Sequence, residues 1–229
     1  MKKPWLSMMA GLMTLFIGQA SATTGFSEIN NELFDKAHLK NVTEPGTLSY
    51  VYRKDSFLEG SREDTIDVDV TNIRNTGRAD THFRFFTGDH NRPYEERPNQ
   101  QGNGVFVLYL EYDISEMERL TSGDRSYFQR RIRWAFAEGA DKKAVEIDYN
   151  GKKVPGYQYT IQPYLNDPQS SRFALYKGKY YIFTLSEEIP GEIYQVRTIV
   201  PDGRTWQEGQ QPLIDQSITF VGFEPMAAE

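Results

Sequence analysis

Glu111 and Asp113 close an otherwise apolar run, Val105 to Tyr112. Two carboxylates on one face, with pKa values pushed apart, can divide the acid and base steps of a hydrolysis. The same residues also suit plainer tasks: ion pairing, or capping by Asp113 of a helix that follows. Asp67 and Asp69 have the same spacing, but Ile66, Val68 and Val70 lie on the opposite face. That pair reads as the solvated side of a strand. His82 and His90, with Asp80 and Asp89, have no metal-ligand spacing, and His38 stands alone. No Gly-x-Ser-x-Gly elbow and no Ser-x-x-Lys set is present. The chain contains no cysteine, which removes thiol catalysis and thiolate metal sites. No metal and no cofactor is expected.

A second constellation favours binding. A helix is expected from Asp124 to Glu138, with Phe128, Ile132, Ala135 and Phe136 as its apolar stripe and Gly139 as its stop. At about 100° per residue, Arg130 falls beside Tyr127 and Trp134, on a flank away from that stripe. Arginine next to aromatic rings holds carboxylate or phosphate groups through a planar fork and stacking. Tyr127, Arg130, Arg133 and Trp134 therefore form the candidate patch for a ligand or partner. A solvated helix face, with arginines pairing to Glu111, Asp113 or Glu118, is the alternative. Seven tyrosines, from Tyr157 to Tyr194, are assigned to the C-terminal sheet, as cross-strand packing or as the lining of a cavity.

These residues need a frame, and the frame is mainly β. Period-two alternation marks Leu48–Tyr52, Ile66–Val70 and Thr81–Phe85. Val105–Tyr112 reads as a strand apolar on both faces, followed by a helix capped by Ser115 and Glu118. Asn150-Gly151 is a hairpin turn between two strands. Lys177-Gly178-Lys179 reads as another, between Phe173–Tyr176 and Tyr180–Leu185. Ile193–Val200 and Leu213–Phe223 complete the set. The polar stretch from Thr87 to Gly104 reads as a long loop, the kind that often makes contacts with a partner. About ten strands with one central helical segment predict a large curved antiparallel sheet or incomplete barrel, with the helices on one side. A two-sheet sandwich is the alternative.

The N-terminus gives an address. Lys2 and Lys3 precede the uncharged segment Trp5–Ile17, and Ala20-Ser21-Ala22 supplies a small-x-small cleavage site. About 13 residues are too few to span a bilayer, which needs roughly 20. Residues 1–22 are thus expected to be a cleaved signal, and 23–229 a single β-rich domain in the periplasm. No later stretch reads as a membrane span. The full chain of 229 residues carries a net charge of −6. Removing two lysines and no acid leaves −8, which repels nucleic acid and anionic surfaces globally and makes the arginine-rich helix a local exception. An aromatic content of 14% supplies a core without disulfides.

Several segments resemble a family of uncharacterised secreted proteins of proteobacteria. They are Gly102-Asn103, Leu110-Glu111-Tyr112-Asp113-Ile114 with Met117, Thr121-Ser122-Gly123, Tyr127 to Arg133, and Ile189-Pro190-Gly191 after Phe183-Thr184-Leu185-Ser186. The resemblance implies a periplasmic address and no assigned activity. In strand count and central helix the chain also resembles the half-barrels of periplasmic lipoprotein carriers, a likeness of architecture rather than motif. The expected function is a non-catalytic periplasmic binding protein for an apolar ligand, such as a lipid, or for an envelope protein partner. The alternatives are a hydrolase of an envelope polymer using Glu111 and Asp113, and an interaction module using the 87–104 loop.

Overall fold

The computed structural model describes residues 27–227. The expected signal, with its cut after Ala22, lies outside them. Ten antiparallel strands form one open sheet in the order β4-β3-β2-β1-β10-β9-β8-β7-β6, with β5 pairing beside β4 on β3. The first half supplies β1 (Gly46–Ser56), β2 (Arg62–Thr71), β3 (Ala79–Phe85), β4 (Arg92–Pro93) and β5 (Arg97–Gln100). The second supplies β6 (Asp141–Tyr149), β7 (Lys152–Ile161), β8 (Tyr180–Leu185), β9 (Ile193–Val200) and β10 (Ile214–Pro225). The long pairing of β1 with β10 joins the two halves. Bulges at Ser49/Tyr50 and Thr184/Leu185 interrupt the ladders, and such irregularities bend a sheet. The free edge β6 begins Asp141-Lys142-Lys143, charged side chains that discourage further strand addition.

Alternation decides which face is dry. Leu48, Tyr50 and Tyr52 of β1, Ile66, Val68 and Val70 of β2, and Ile218 and Phe220 of β10 are buried on the concave side. The strands expected at Leu48–Tyr52, Ile66–Val70 and Thr81–Phe85, and the hairpin at Asn150-Gly151, are all present. So is the helix α3 (Arg125–Glu138). Asp124 caps it by accepting the Tyr127 N–H at 2.8 Å, and Gly139 ends it.

Three expectations fail. Val105–Tyr112 is not a strand but the first half of α2 (Val105–Thr121), which runs unbroken through Ser115. The run continues in helical phase: Phe106, Tyr109, Leu110, Asp113, Ile114 and Met117 are spaced i, i+3, i+4, i+7, i+8, i+11. A short apolar run does not by its own periodicity separate a buried strand from a buried helix. Here the helix lies in the concave side of the sheet with α3 packed against it, so most of the surface of Val105–Tyr112 is dry. Ser115 is consequently no cap; its hydroxyl donates to the Glu111 carbonyl one turn back.

Phe173–Tyr176 is the end of a 3-10 segment, Ser170–Tyr176, kinked at Phe173, in which Phe173 and Tyr176 are buried. The 87–104 stretch is not structureless; it carries a 3-10 turn, Gly88–His90, and the two short strands β4 and β5 along β3. The lead-in is helical, α1 (Glu28–Asn30) continuing as a π-turn. Ile29 and Leu33 are buried, while Phe34 is half exposed and meets Phe106 and Phe136 edge-on. No helix among the described residues is long and apolar enough to cross a membrane.

Candidate functional site

The helix α2 fills the concave side of the sheet, and the residues that fix it there form the most elaborate polar arrangement in the interior. Asp113 faces the sheet from the middle of α2, only 2% exposed. One of its oxygens accepts from Lys179 Nζ at 2.5 Å, and the other from the Tyr181 hydroxyl at 2.7 Å. Tyr181 in turn meets the Tyr164 hydroxyl at 3.1 Å. Burial, then the Asp113 charge, pushes the Tyr181 phenol well above its ordinary range, so it stays a donor. Two charges taken out of water at this depth hold only because they pair and hydrogen-bond each other.

Glu111 lies two residues away, which on a helix is about 200° round. It points to the other side, pairing with Arg125 and accepting from Gln129 Nε2 at 3.4 Å. The expected carboxylate pair therefore does not exist as a pair. A shared face required the strand that α2 replaces. Asp113 is not a helix cap either, since it stands mid-helix.

The entry to α2 is held by a second network. The Asn103 backbone N–H donates to His38 Nδ1 at 3.1 Å, and Asn103 Nδ2 donates to the Tyr50 hydroxyl at 2.8 Å and to the Gly191 carbonyl at 3.0 Å. Asn103 Oδ1 accepts from the Val105 N–H, the first helical amide. His38 Nε2 donates to the Glu32 carbonyl at 2.7 Å. With Nδ1 occupied as an acceptor, the imidazole is neutral, and burial lowers its pKa accordingly. Gly191 has φ +73, and a Cβ there would stand 2.8 Å from both Asn103 Nδ2 and Leu48 Cδ1. Gly102-Asn103 and Ile189-Pro190-Gly191, far apart in sequence, thus meet in one joint.

The α3 patch is split between two places. Tyr127 and Arg130 line a small cleft of about 210 Å³ with Arg172, and the Arg130 guanidinium stands 5.8 Å from the Tyr127 ring. The Tyr127 hydroxyl donates to Asp167 at 2.5 Å, and burial with that bond pushes its phenol up to about 12. Trp134 is 53% exposed, and the cation over its ring is Arg131, at 5.4 Å, rather than Arg130. Arg131 also pairs with the buried Asp167 at 2.8 Å. Arg133 is exposed and makes no ion pair among the described residues.

The seven tyrosines are less uniform than expected. Tyr164 and Tyr176 lie outside the strands, and Tyr159 and Tyr181 are buried. Tyr157 is half exposed and lines a groove of about 320 Å³ with Tyr159, Val145 and Leu185. His82 stands on the outer face near Asp69, and His90 is exposed in the 3-10 turn. No group of three or more potential metal ligands comes together among the described residues.

No family model matches the chain, and no curated protein matches it in sequence. Among solved structures, lipoprotein LppX of Mycobacterium tuberculosis is similar with a TM-score of 0.33 and 12% identity, over 80% of this chain and 89% of that one. A likeness of that degree carries nothing about function.

Proposed function

We propose that this chain is a non-catalytic periplasmic binding protein whose half-barrel accommodates an apolar ligand. One observation carries this reading. The sheet is open, its concave face is apolar, and that face is covered by a single helical hairpin, α2–α3, rather than by a second sheet. Among the described residues, one ion pair, Asp113–Lys179, crosses the buried part of the contact. Displacing the hairpin uncovers the aromatic trough lined by Tyr50, Tyr52, Phe85 and Phe220. Burial of an alkyl chain there contributes about 0.8 kcal/mol per methylene.

The test is direct. Protein purified from its native compartment is extracted and the extract analysed for lipid, and envelope lipids are added back to stripped protein. The expected outcome is a co-purifying amphiphile and a raised thermal midpoint, since saturation at a hundred times Kd stabilises by about 2.7 kcal/mol. A lipid-free preparation whose midpoint does not move with any envelope lipid removes the apolar-ligand reading.

A protein partner is the second reading, favoured by the outward face of α3. There the half-exposed Trp134 stands under Arg131 and next in sequence to the exposed Arg133, on an otherwise acidic chain, a composition suited to an acidic partner. Replacing Trp134 by alanine should then abolish any complex isolated from the envelope. A complex that survives W134A does not use this face. The hydrolase alternative keeps no residues, because Glu111 and Asp113 face opposite ways.

A further inference from the structure

A cleft of about 450 Å³ opens at the C-terminal half of α2, between that helix, the β1–β2 turn and the 3-10 turn before β4. Its permanent charges are Lys54, Arg62, Arg92 and Arg119, against Glu59, Asp89 and Glu116. Two of the cations are already paired. Lys54 meets Glu59 at 2.6 Å, and Arg119 meets Glu59 and Glu116 at 2.7 Å each. Arg62 and Arg92 are different.

Arg62 is packed over rings, 4.7 Å from the centroid of Tyr52 and 4.4 Å from that of Phe86. It reaches one oxygen of Asp64 at 3.7 Å, too far for a hydrogen bond, and donates to the Tyr112 hydroxyl at 3.4 Å, while the other Asp64 oxygen accepts from the Thr65 and Thr87 amides and the Thr87 hydroxyl. Arg92 stands 5.0 Å from the Tyr112 ring and has no ion-pair partner among the described residues. Two guanidinium forks thus flank one cleft, oriented by aromatic faces; Arg92 has no carboxylate partner among the described residues, and Arg62 has only the long contact to Asp64. Such forks match the planar oxygens of carboxylate and phosphate.

The surroundings say how the anion arrives. The rings under the two arginines, Tyr52, Phe86 and Tyr112, are packed against one another and against Phe85, so the floor of the cleft is continuous with the apolar interior beneath α2. Beside the mouth, the β1–β2 turn that supplies Glu59, Gly60 and Ser61 to the cleft exposes two adjacent large apolar side chains. Phe57 is 69% exposed and Leu58 52%. Two arginines without close carboxylate pairs, a greasy floor and exposed apolar side chains on the adjoining turn are complementary to a molecule with an anionic head and an alkyl tail.

We propose that this cleft binds the oxyanion head, phosphate or carboxylate, of a membrane amphiphile, with Arg62 and Arg92 as the head-binding residues. The site rests on the apolar-ligand reading only for where the tail goes. Equilibrium binding of dodecyl phosphate, dodecyl maltoside and inorganic phosphate to the full chain tests both at once. Wild type should prefer dodecyl phosphate. Arg92→Gln, an exposed edge position, should weaken that probe about tenfold or more while leaving dodecyl maltoside unchanged. Arg62→Lys keeps the charge, removes the fork, and should give a loss in the same direction. Arg204→Gln changes the same charge at a distant exposed site and should bind like wild type.

Equal affinity for the two alkyl probes, unaltered by Arg92→Gln and Arg62→Lys, overturns the cleft and leaves the apolar ligand standing. An equal loss in Arg92→Gln and Arg204→Gln reduces the effect to bulk charge and also overturns it. Inorganic phosphate bound as tightly as dodecyl phosphate, and dependent on Arg92, keeps the oxyanion site but overturns the amphiphile. If no probe binds, the cleft and the apolar reading fall together.

Discussion

The two ends of α2 hold charge and polarity in opposite ways. At its start and middle the contacts are dry: Asn103 with His38, Tyr50 and Gly191, then Asp113 with Lys179 and Tyr181. At its C-terminal end, Glu116 and Arg119 meet Lys54, Glu59 and the rim of the cleft in partial solvent. In the dry region every partner is needed, because a group left behind has no water to turn to. In the wet region water replaces a lost partner, so ion pairs there add little to stability and remain free to rearrange around a ligand. The helix is thus fixed at one end and adaptable at the other, where Arg62 and Arg92 lie.

The contrast is sharpest at Asp113. Asp113→Ala leaves the Lys179 ammonium buried without a partner and should cost about 3–5 kcal/mol in urea denaturation, whereas the double apolar replacement of both residues should recover most of it. A loss below about 1 kcal/mol for the single variant would mean that water reaches Lys179, and the two ends would then be alike. Gly191→Ala should cost about 1–3 kcal/mol, because it strains a left-handed backbone position and crowds Asn103 against Leu48. A neutral result would show that the Asn103 joint yields.

His38 adds a pH dependence confined to the dry end. Burial, helped by the nearby Lys36 charge, lowers its pKa below the unfolded value of 6.5. The unfolded chain therefore binds the proton first. Stability is fully present above about pH 6.5 and falls as pH drops from there through the lowered folded value. Denaturation midpoints measured from pH 7.5 downward should show this loss, and His38→Gln should flatten it over that window. An unchanged slope would remove His38 as its source. At the wet end, Arg119→Gln should change stability by less than about 1 kcal/mol, and added salt should shrink the difference further. A larger cost would show that the rim cluster is structural after all.

Much of the frame was legible because it is local. Alternation in β2, the Asn150-Gly151 turn, and the stripe and stops of α3 are properties of neighbouring residues. Val105–Tyr112 is ambiguous in sequence because a run of apolar and aromatic residues satisfies either period when nearly all its faces are buried, and burial is a fact about α3 and the sheet. The arginines of α3 drew attention because they cluster in sequence. Arg62 and Arg92 did not, being thirty residues apart and joined only by rings from β1, α2 and the end of β3.

By itself the sequence determined the mainly β class, the dry face of the first strands and the acidic balance of the chain, since composition and short periods carry that information. Tertiary structure decided the rest. Folding α2 turned Glu111 and Asp113 away from each other and set Asp113 against Lys179, sixty-six residues on. It also brought Arg62 and Arg92 to one cleft. The reason is physical: which side chains share a dry or a wet space depends on contacts between distant segments, and no local pattern encodes them.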